Sequence, residues 1–242
     1  MLCLLIIASS AKTFAQEPIH TDRPDQTECP FIVPKNYFQI ENGLSFESTD
    51  DISNTYLYPS TLVKYGVNNI LELRLIMELT TIKFEQENAT GINPVTVGFK
   101  INIMQEKGIL PTTSFIGHLT LPYAATSKFK SSVYEPAFRF TMQHTLTKRL
   151  SLGYNLGMEW EDKLHSFIYT VTSGYAISEK LGAYGELYGF VPQKGEPDNR
   201  IDGGFNYLLN PNILFDVSGG AGLSTKSPKY YFALGFSFRF KT

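Results

Sequence analysis

The sequence predicts an all-β fold, a closed antiparallel transmembrane β-barrel of about twelve strands connected as an up-and-down meander. Three observations predict it. Apolar and polar residues alternate along twelve segments of about ten residues, ionised side chains keep to one parity of that alternation, and short turns alternate with longer loops. Strict alternation places one set of side chains on each face of a strand, and about ten tilted residues cross a bilayer.

The last segment shows the alternation most clearly. Apolar residues from Tyr230 to Phe240 occupy every second position, while Tyr231, Arg239 and small residues lie between them. This strand resembles the closing strand of bacterial outer-membrane barrels, and it is the expected contact for the barrel-assembly machinery. The same alternation predicts strands over residues 38–47, 56–67, 71–80, 95–103, 114–121, 134–143, 150–160, 166–175, 181–191, 201–207 and 213–217.

Ionised residues sort onto the polar parity of these segments. When the phases are set by apolar residues alone, no Asp, Glu, Lys or Arg falls on the apolar parity within the membrane-length windows. A lysine or arginine facing lipid at mid-bilayer costs about 2–4 kcal/mol, so the apolar face is expected to meet lipid. The charges predicted to face the lumen are Glu41, Glu47, Lys64, Glu72, Arg74, Glu78, Lys100, Glu135, Arg139, Glu159, Glu186, Asp202, Asp216 and Arg239.

The connections fit a barrel with both termini on the periplasmic side. Short turns are predicted at residues 67–69, 105–108, 145–149, 178–180 and 210–212, and longer loops at 48–54, 85–93, 123–132, 192–199 and 224–229. Short periplasmic turns and longer external loops are typical of outer-membrane barrels. The connection at residues 162–164 is short where a long loop is expected.

Residues 1–15 are predicted to be a signal peptide. An apolar core, Leu2–Ala8, precedes Thr13-Phe14-Ala15, which fits a small-residue cleavage site, and a buried strand is the alternative. After cleavage Cys29 would be the one cysteine left, so no internal disulfide is expected. With residues 36–242 assigned to the barrel, the signal predicts a location in the bacterial outer membrane, in contact with its lipid.

Residues 16–35 form a proline-rich segment that precedes the first strand. Four prolines in this segment argue against a strand. Two interpretations remain open, namely a periplasmic tail and a plug that folds into the barrel. In the plug interpretation Asp22, Arg23 and Asp25 would pair with the lumenal residues Lys64, Arg74 or Arg139.

Inward charges of both signs predict a polar lumen crossed by a ladder of charged side chains. Glu72 and Arg74, two residues apart, lie about 7 Å from each other on one face of a strand. The ladder would set the electric field of an open lumen, or its members would pair and seal the lumen. Its predicted members are Lys64, Glu72, Arg74, Glu78, Lys100, Glu135, Arg139 and Arg239.

Further lumenal side chains are candidates for contact with a solute. Aromatic rings on the inward parity would stack on a ring-shaped compound, or would simply fill space or line a rim. The candidates are Tyr56, Tyr58, His118, Tyr184, Glu186 and Tyr188. The net charge of −2 gives no footprint for nucleic acid. Since motifs for a nucleophile elbow, metal or redox site are missing, no catalysis, metal or cofactor is expected.

Soon after the predicted signal peptide the chain reads Thr21-Asp22-Arg23-Pro24-Asp25-Gln26-Thr27-Glu28, followed by Val33-Pro34 and Gln39-Ile40-Glu41-Asn42-Gly43. This opening resembles that of the bacterial outer-membrane family named for the meta-pathway of phenol degradation, whose members are commonly labelled transporters. The resemblance covers residues 21–240. It implies an outer-membrane barrel for passage or binding of small solutes, aromatic or hydrophobic compounds among them. The alternative is a structural or surface-interaction barrel with a sealed lumen.

Overall fold

The computed structural model describes residues 17–50 and 52–242, so the predicted signal peptide lies outside the described residues. No helix in this part of the chain is long and apolar enough to cross a membrane. Its strands are β1 Tyr37–Ser48, β2 Ser53–Gly66, β3 Leu71–Phe84, β4 Glu87–Ile92, β5 Thr96–Met104, β6 Thr112–Thr120, β7 Glu135–Thr145, β8 Leu150–Glu161, β9 Leu164–Ala176, β10 Leu181–Pro192, β11 Asp198–Asn210, β12 Ile213–Gly222 and β13 Tyr230–Lys241.

Twelve of these strands form a closed antiparallel ring, which confirms the predicted fold and strand number. Each strand of the ring pairs with its neighbours along the chain, and β13 pairs with β1 to close it. The exception is β4, which pairs only with the outer part of β3, from Leu79 opposite Ile92 to Phe84 opposite Glu87. The predicted loop at residues 85–93 is therefore a hairpin that extends β3 beyond the barrel wall.

The exterior of the ring is apolar and its lumen is polar, as the alternation predicts. Phe232 and Leu234 are 62% and 59% exposed on β13, whereas the side chains of Glu72 and Lys100 are fully buried inside. Aromatic residues pack across neighbouring strands on the outer face, with ring centroids 5.2 Å apart for Phe115 and Phe140. The two parities of the sequence thus correspond to the two faces of the barrel: apolar side chains face lipid and charged side chains face the lumen.

The predicted phase of the outer half of β2 is wrong. A bulge at Tyr58-Pro59 adds one residue between the pairs Gly43–Ser60 and Ser45–Leu57, and one extra residue moves every later side chain to the opposite face. Leu57 therefore turns inward. The ring of Tyr56 packs on Phe46 on the outer face, 5.1 Å between centroids.

Tyr58 also leaves the lumen as a result of this bulge. Its hydroxyl hydrogen-bonds the hydroxyl of Thr81, which shares the outer parity of Leu79 on β3. Thr81 in turn hydrogen-bonds Thr90 of β4, so the side chain of Tyr58 contacts the external β3–β4 hairpin. Tyr56 and Tyr58 are consequently removed from the set of lumenal solute contacts.

Leu234→Arg should lower the free energy of unfolding by about 2–4 kcal/mol, because the guanidinium would face hydrocarbon near the middle of β13. Phe240→Arg, at the periplasmic end of the same face, should cost only about 0–1 kcal/mol. Denaturant titration of the protein folded into lipid vesicles measures both values. Equal costs at the two positions would contradict the assigned lipid face.

Candidate functional site in the lumen

The site is built where the proline-rich segment enters the barrel. Ile19 N–H donates to the carbonyl of Pro211 in the β11–β12 turn, and Asn36 N–H donates to Gly66 at the end of β2. Between these two periplasmic points the segment rises into the lumen and reaches Thr170 on β9, with 2.6 Å between the hydroxyl oxygens of Thr27 and Thr170. Residues 17–35 therefore lie inside the periplasmic half of the barrel.

Asp22 is the centre of the contacts between the segment and the wall. Its carboxylate accepts from Lys64 Nζ, Arg74 Nη1 and Lys100 Nζ, each at 2.9 Å, and all four side chains are buried. Burial opposes ionisation of Asp22, but the charges of Lys100, Lys64 and Arg74 outweigh it and hold the pKa of this carboxyl well below its ordinary value. Asp22 is thus ionised and shared by three cations from three adjacent strands.

Glu28 provides the second acidic contact of the segment. Its carboxylate accepts from Arg74 Nη2 at 2.6 Å and lies 3.9 Å from Arg139 Nη1. Burial raises the pKa of Glu28, but the charges of Arg74, His118 and Arg139 together outweigh burial, so the net shift of the pKa is downward. Glu28 therefore connects Arg74 of β3 to Arg139 of β7.

The charges of this cluster balance only when the segment is included. The wall contributes four cations, Lys64, Arg74, Lys100 and Arg139, against the carboxylates of Glu41 and Glu72. Asp22 and Glu28 supply the two carboxylates that the wall lacks. We call these eight residues the ionic anchor. This pairing is needed because a buried charge without a partner lowers the stability of the folded protein.

Arg23 makes a separate contact on the opposite side of the segment. Its guanidinium lies 3.0 Å from Asp216 of β12, directly over Gly43 and Gly235, which pair across the closing seam. A Cβ at Gly43 would come within 2.1 Å of the Arg23 guanidinium, and one at Gly235 within 2.1 Å of the Asp216 carboxylate. The two glycines make room for this ion pair.

The tip of the segment, Gln26 and Thr27, contacts β9 and β10 through hydrogen bonds, and the backbone of Glu28 contacts β8. Gln26 N–H donates to Glu186 at 2.7 Å, the Thr27 hydroxyl also donates to Glu186, and Glu28 N–H donates to Asn155 at 2.8 Å. The preceding Asp25 lies near Glu186 and Asp202. Burial first, and then the charge of Glu186, raise the pKa of Asp25 well above its ordinary value.

A cavity of about 520 Å³ separates the segment from the β7–β12 wall at the periplasmic end. Asp25, Thr27 and Phe31 line it from the segment, while Met142 and Thr172 line it from the wall. The segment therefore fills the lumen unevenly. Its ion pairs join it to β12 and to the wall from β1 to β7, and open space remains below the tip on the other side.

The predicted ladder does not form one continuous unit. Lys64, Glu72, Arg74, Lys100 and Arg139 meet in the ionic anchor, and His118 accepts from Arg74 Nε at 3.1 Å. Three members lie elsewhere: Glu78 bonds Ser60 and Asn93, Glu135 lies by the β8–β9 turn, and Arg239 bonds the carbonyls of Glu17 and Pro211.

Tyr184, Glu186 and Tyr188 of β10 face the lumen. Tyr188 is nearly fully buried beside Arg200, which pairs with Glu47 and Asp198. Of the predicted contacts of the segment, those of Asp22 with Lys64 and Arg74 form. Arg23 instead pairs with Asp216, and Asp25 lies near Glu186 and Asp202.

Sequence reasoning missed Glu28, Thr27, Asn155 and Thr170. Glu28 ends the Thr21–Glu28 motif, which is the signal that would have found it, whereas Asn155 and Thr170 are ordinary inward polar residues of strands. Nothing in their local pattern marks them as contacts of the segment.

Comparison with known proteins identifies the barrel type. The model of the family described as "MetA-pathway of phenol degradation" matches residues 21–240. An outer membrane channel from Pseudomonas putida F1 is 10% identical, with a TM-score of 0.71 over 87% of this chain and 97% of that chain. No curated protein matches the sequence.

Two porins share the fold at a greater distance. The KdgM porin is 13% identical with a TM-score of 0.57, covering 84% of this chain and 99% of that chain. The NanC porin is 13% identical with a TM-score of 0.57, covering 83% of this chain and 98% of that chain. Together with the apolar exterior, this fold confirms the predicted location in the bacterial outer membrane.

Asp22→Asn should release the segment, because three buried cations lose the charge that they share; the loss is about 3–5 kcal/mol of docking free energy. Cys29 reports release. Burial and the Asp22 charge raise the pKa of its thiol to about 12, so the docked thiol reacts slowly. Maleimide labelling of Cys29, located by peptide mass spectrometry, should accelerate by at least about a hundredfold.

Asp25→Asn is the matched control. A carboxyl whose pKa is raised by docking weakens docking above its ordinary pKa, so replacing it by a neutral amide should leave Cys29 protection unchanged or increase it. Equal labelling rates for Asp22→Asn and Asp25→Asn would contradict the assigned role of the ionic anchor.

Proposed function

The chain belongs to the family described as "MetA-pathway of phenol degradation", and we propose that it is an outer-membrane channel for small solutes whose own amino-terminal segment closes the lumen. The observation that carries this proposal is the uneven fit of the segment. It has a charged anchor on one wall, a hydrogen-bonded tip on the other, and a cavity of about 520 Å³ below the tip.

The two attachments differ in strength. Removing one partner of a buried ion pair costs about 3–5 kcal/mol. A hydrogen bond contributes about 0.5–1.5 kcal/mol between neutral groups, as between Thr27 and Thr170, and about 1.5–3 kcal/mol to a charged group such as the Glu186 carboxylate. The ionic anchor holds Asp22 by three cations, while the tip is held by hydrogen bonds from Gln26 and Thr27 to Glu186 and Thr170. The tip is therefore the part of the segment that moves when the channel opens.

The solute path follows from this difference. When the tip lifts, the cavity joins the external half of the lumen along β8, β9 and β10. Glu186 would lie at the narrowest point, since it accepts hydrogen bonds from both Gln26 and Thr27. Tyr184 and Tyr188 flank Glu186 on the same face of β10, so they are the proposed aromatic contacts of a passing solute.

Small aromatic compounds are the proposed solute class, because the family description concerns phenol degradation and two inward tyrosines line the path. Passage involves no chemical step in this proposal.

The apolar face of β13, which closes the ring beside β1, is the proposed contact for the barrel-assembly machinery.

A sealed barrel that acts through its external loops is the second candidate function. The balanced charges of the ionic anchor favour it, because a fully paired cluster fills its half of the lumen without needing a ligand. The two candidates differ in one measurable property, the ion current through the reconstituted barrel.

Deleting residues 17–34 should raise single-channel conductance in planar bilayers severalfold, since the segment occupies the periplasmic half of the lumen. The control is the full chain with Asp25→Asn, which retains the segment. If deletion leaves the conductance unchanged, the segment does not obstruct the path, and the proposed closure is wrong.

A disulfide between tip and wall should hold the channel closed. The hydroxyl oxygens of Thr27 and Thr170 are 2.6 Å apart, so Thr27→Cys with Thr170→Cys, in a Cys29→Ser background, brings two sulfurs together. Conductance should disappear on oxidation and return on reduction, while Thr27→Cys alone should show neither effect. Undiminished current through a barrel whose disulfide is verified by mass would place the path elsewhere.

A further inference from the structure

The periplasmic rim carries a surface of exposed aliphatic and basic side chains on three turns. These turns follow β5, β7 and β9, at residues 105–111, 146–149 and 177–180. Ile109 is 91% exposed, although isoleucine is among the residues that are most often buried in folded proteins. We call the following eight residues the rim patch: Lys107, Ile109, Leu110, Leu146, Lys148, Arg149, Ile177 and Lys180.

Hydrogen bonds join the three turns into one surface. Thr145 N–H donates to the Glu106 carboxylate at 2.9 Å, which ties the β7–β8 turn to the β5–β6 turn. Ala176 N–H donates to the carbonyl of Arg149 at 2.8 Å, which ties the β9–β10 turn to the β7–β8 turn. The rim patch is therefore continuous along one side of the barrel.

The turns on the other side of the rim carry no charged residue, and the exposed basic residues there, Lys35 and Lys241, lie outside the turns. The β2–β3 turn at residues 67–70 contains Asn68 and Asn69, and the β11–β12 turn contains Pro211 and Asn212, so neither turn carries a charge. Short turns alone do not explain the rim patch.

The four cations of the rim patch form no ion pair with any residue that the structure describes, which leaves their charge available to a ligand. Glu106 and Glu179 lie on the same turns, so the net charge of the three turns is positive. Lys148, Arg149 and Lys180 also border the mouth of the periplasmic cavity, so the test below separates a lipid from the lumen mouth.

We propose that the rim patch binds the headgroup of an anionic glycerophospholipid in the inner leaflet of the membrane. The cations would contact the phosphate, and the aliphatic residues would enter the boundary of the acyl chains. Continuity with the lipid-facing wall supports this ligand, because β5 ends in the exposed Ile103 and Met104 immediately before the first turn of the patch.

A soluble anion explains less of this surface. It would engage the four cations but leave Ile109, Leu110 and Leu146 in water, whereas a lipid satisfies both sets of side chains. The ligand is therefore a phospholipid with net negative charge. This inference needs only the membrane location of the barrel and is independent of solute passage.

Native mass spectrometry of the full chain tests the proposal. The protein is mixed in neutral detergent with equimolar phosphatidylglycerol and phosphatidylcholine, and the lipids retained are counted. Phosphatidylglycerol should be retained preferentially. The variant Lys107→Gln/Lys148→Gln/Arg149→Gln should weaken its binding about fivefold for each charge removed, and Ile109→Ser should weaken both lipids.

The matched control is Lys35→Gln/Lys226→Gln/Lys241→Gln, which changes net charge equally outside the rim patch and should keep the preference. Heat-modified mobility on gels verifies that each barrel is folded. If the triple variant does not fold, Lys148→Gln and Arg149→Gln carry the same test singly. Equal retention of the two lipids by the unaltered chain would overturn the proposal. An unaffected preference accompanied by a changed ion selectivity would assign the cations to the lumen mouth instead and would equally overturn it.

Discussion

Charge neutrality inside a narrow barrel is the constraint on which the rest of this structure depends. Around Asp22 and Glu28 the wall from β1 to β7 presents four cations and two carboxylates, and these charges balance only when the two carboxylates of the segment are included. Among buried side chains, such an imbalance of charge is too costly to leave unpaired. The segment is therefore part of the folded barrel, because its two carboxylates neutralise cations that the strands leave unpaired.

The geometry of the sheet makes this completion feasible. Lys64, Arg74 and Lys100 come from three adjacent strands whose registers bring them to one height, with Lys64 opposite Arg74 and Glu72 opposite Lys100. At the closing seam the paired Gly43 and Gly235 leave a hollow that Arg23 enters. Opposite charges on the segment thus meet their partners on two different parts of the wall, which fixes its path through the lumen.

The alternation in the sequence predicted the strands, the closure and the side of each lumenal charge, because period-two patterning and the cost of charge in lipid act locally on each strand. It could not predict the bulge at Tyr58-Pro59, since one inserted residue changes the phase of Tyr56 without changing composition. Nor could it choose between plug and tail for residues 16–35. The partners of Asp22 lie 42 to 78 residues away, and only the closed ring brings them together.

Unequal attachment of the segment is what reconciles a filled lumen with passage. If every contact were as strong as that of Asp22, opening would require extracting several buried charges together, and the barrel would be permanently sealed. Instead the charged contacts of Asp22, Arg23 and Glu28 lie on β12 and along β1–β7, and the tip meets β9 and β10 through hydrogen bonds from Gln26 and Thr27. A solute then has to displace only the tip, while the balanced charges that stabilise the barrel stay in place.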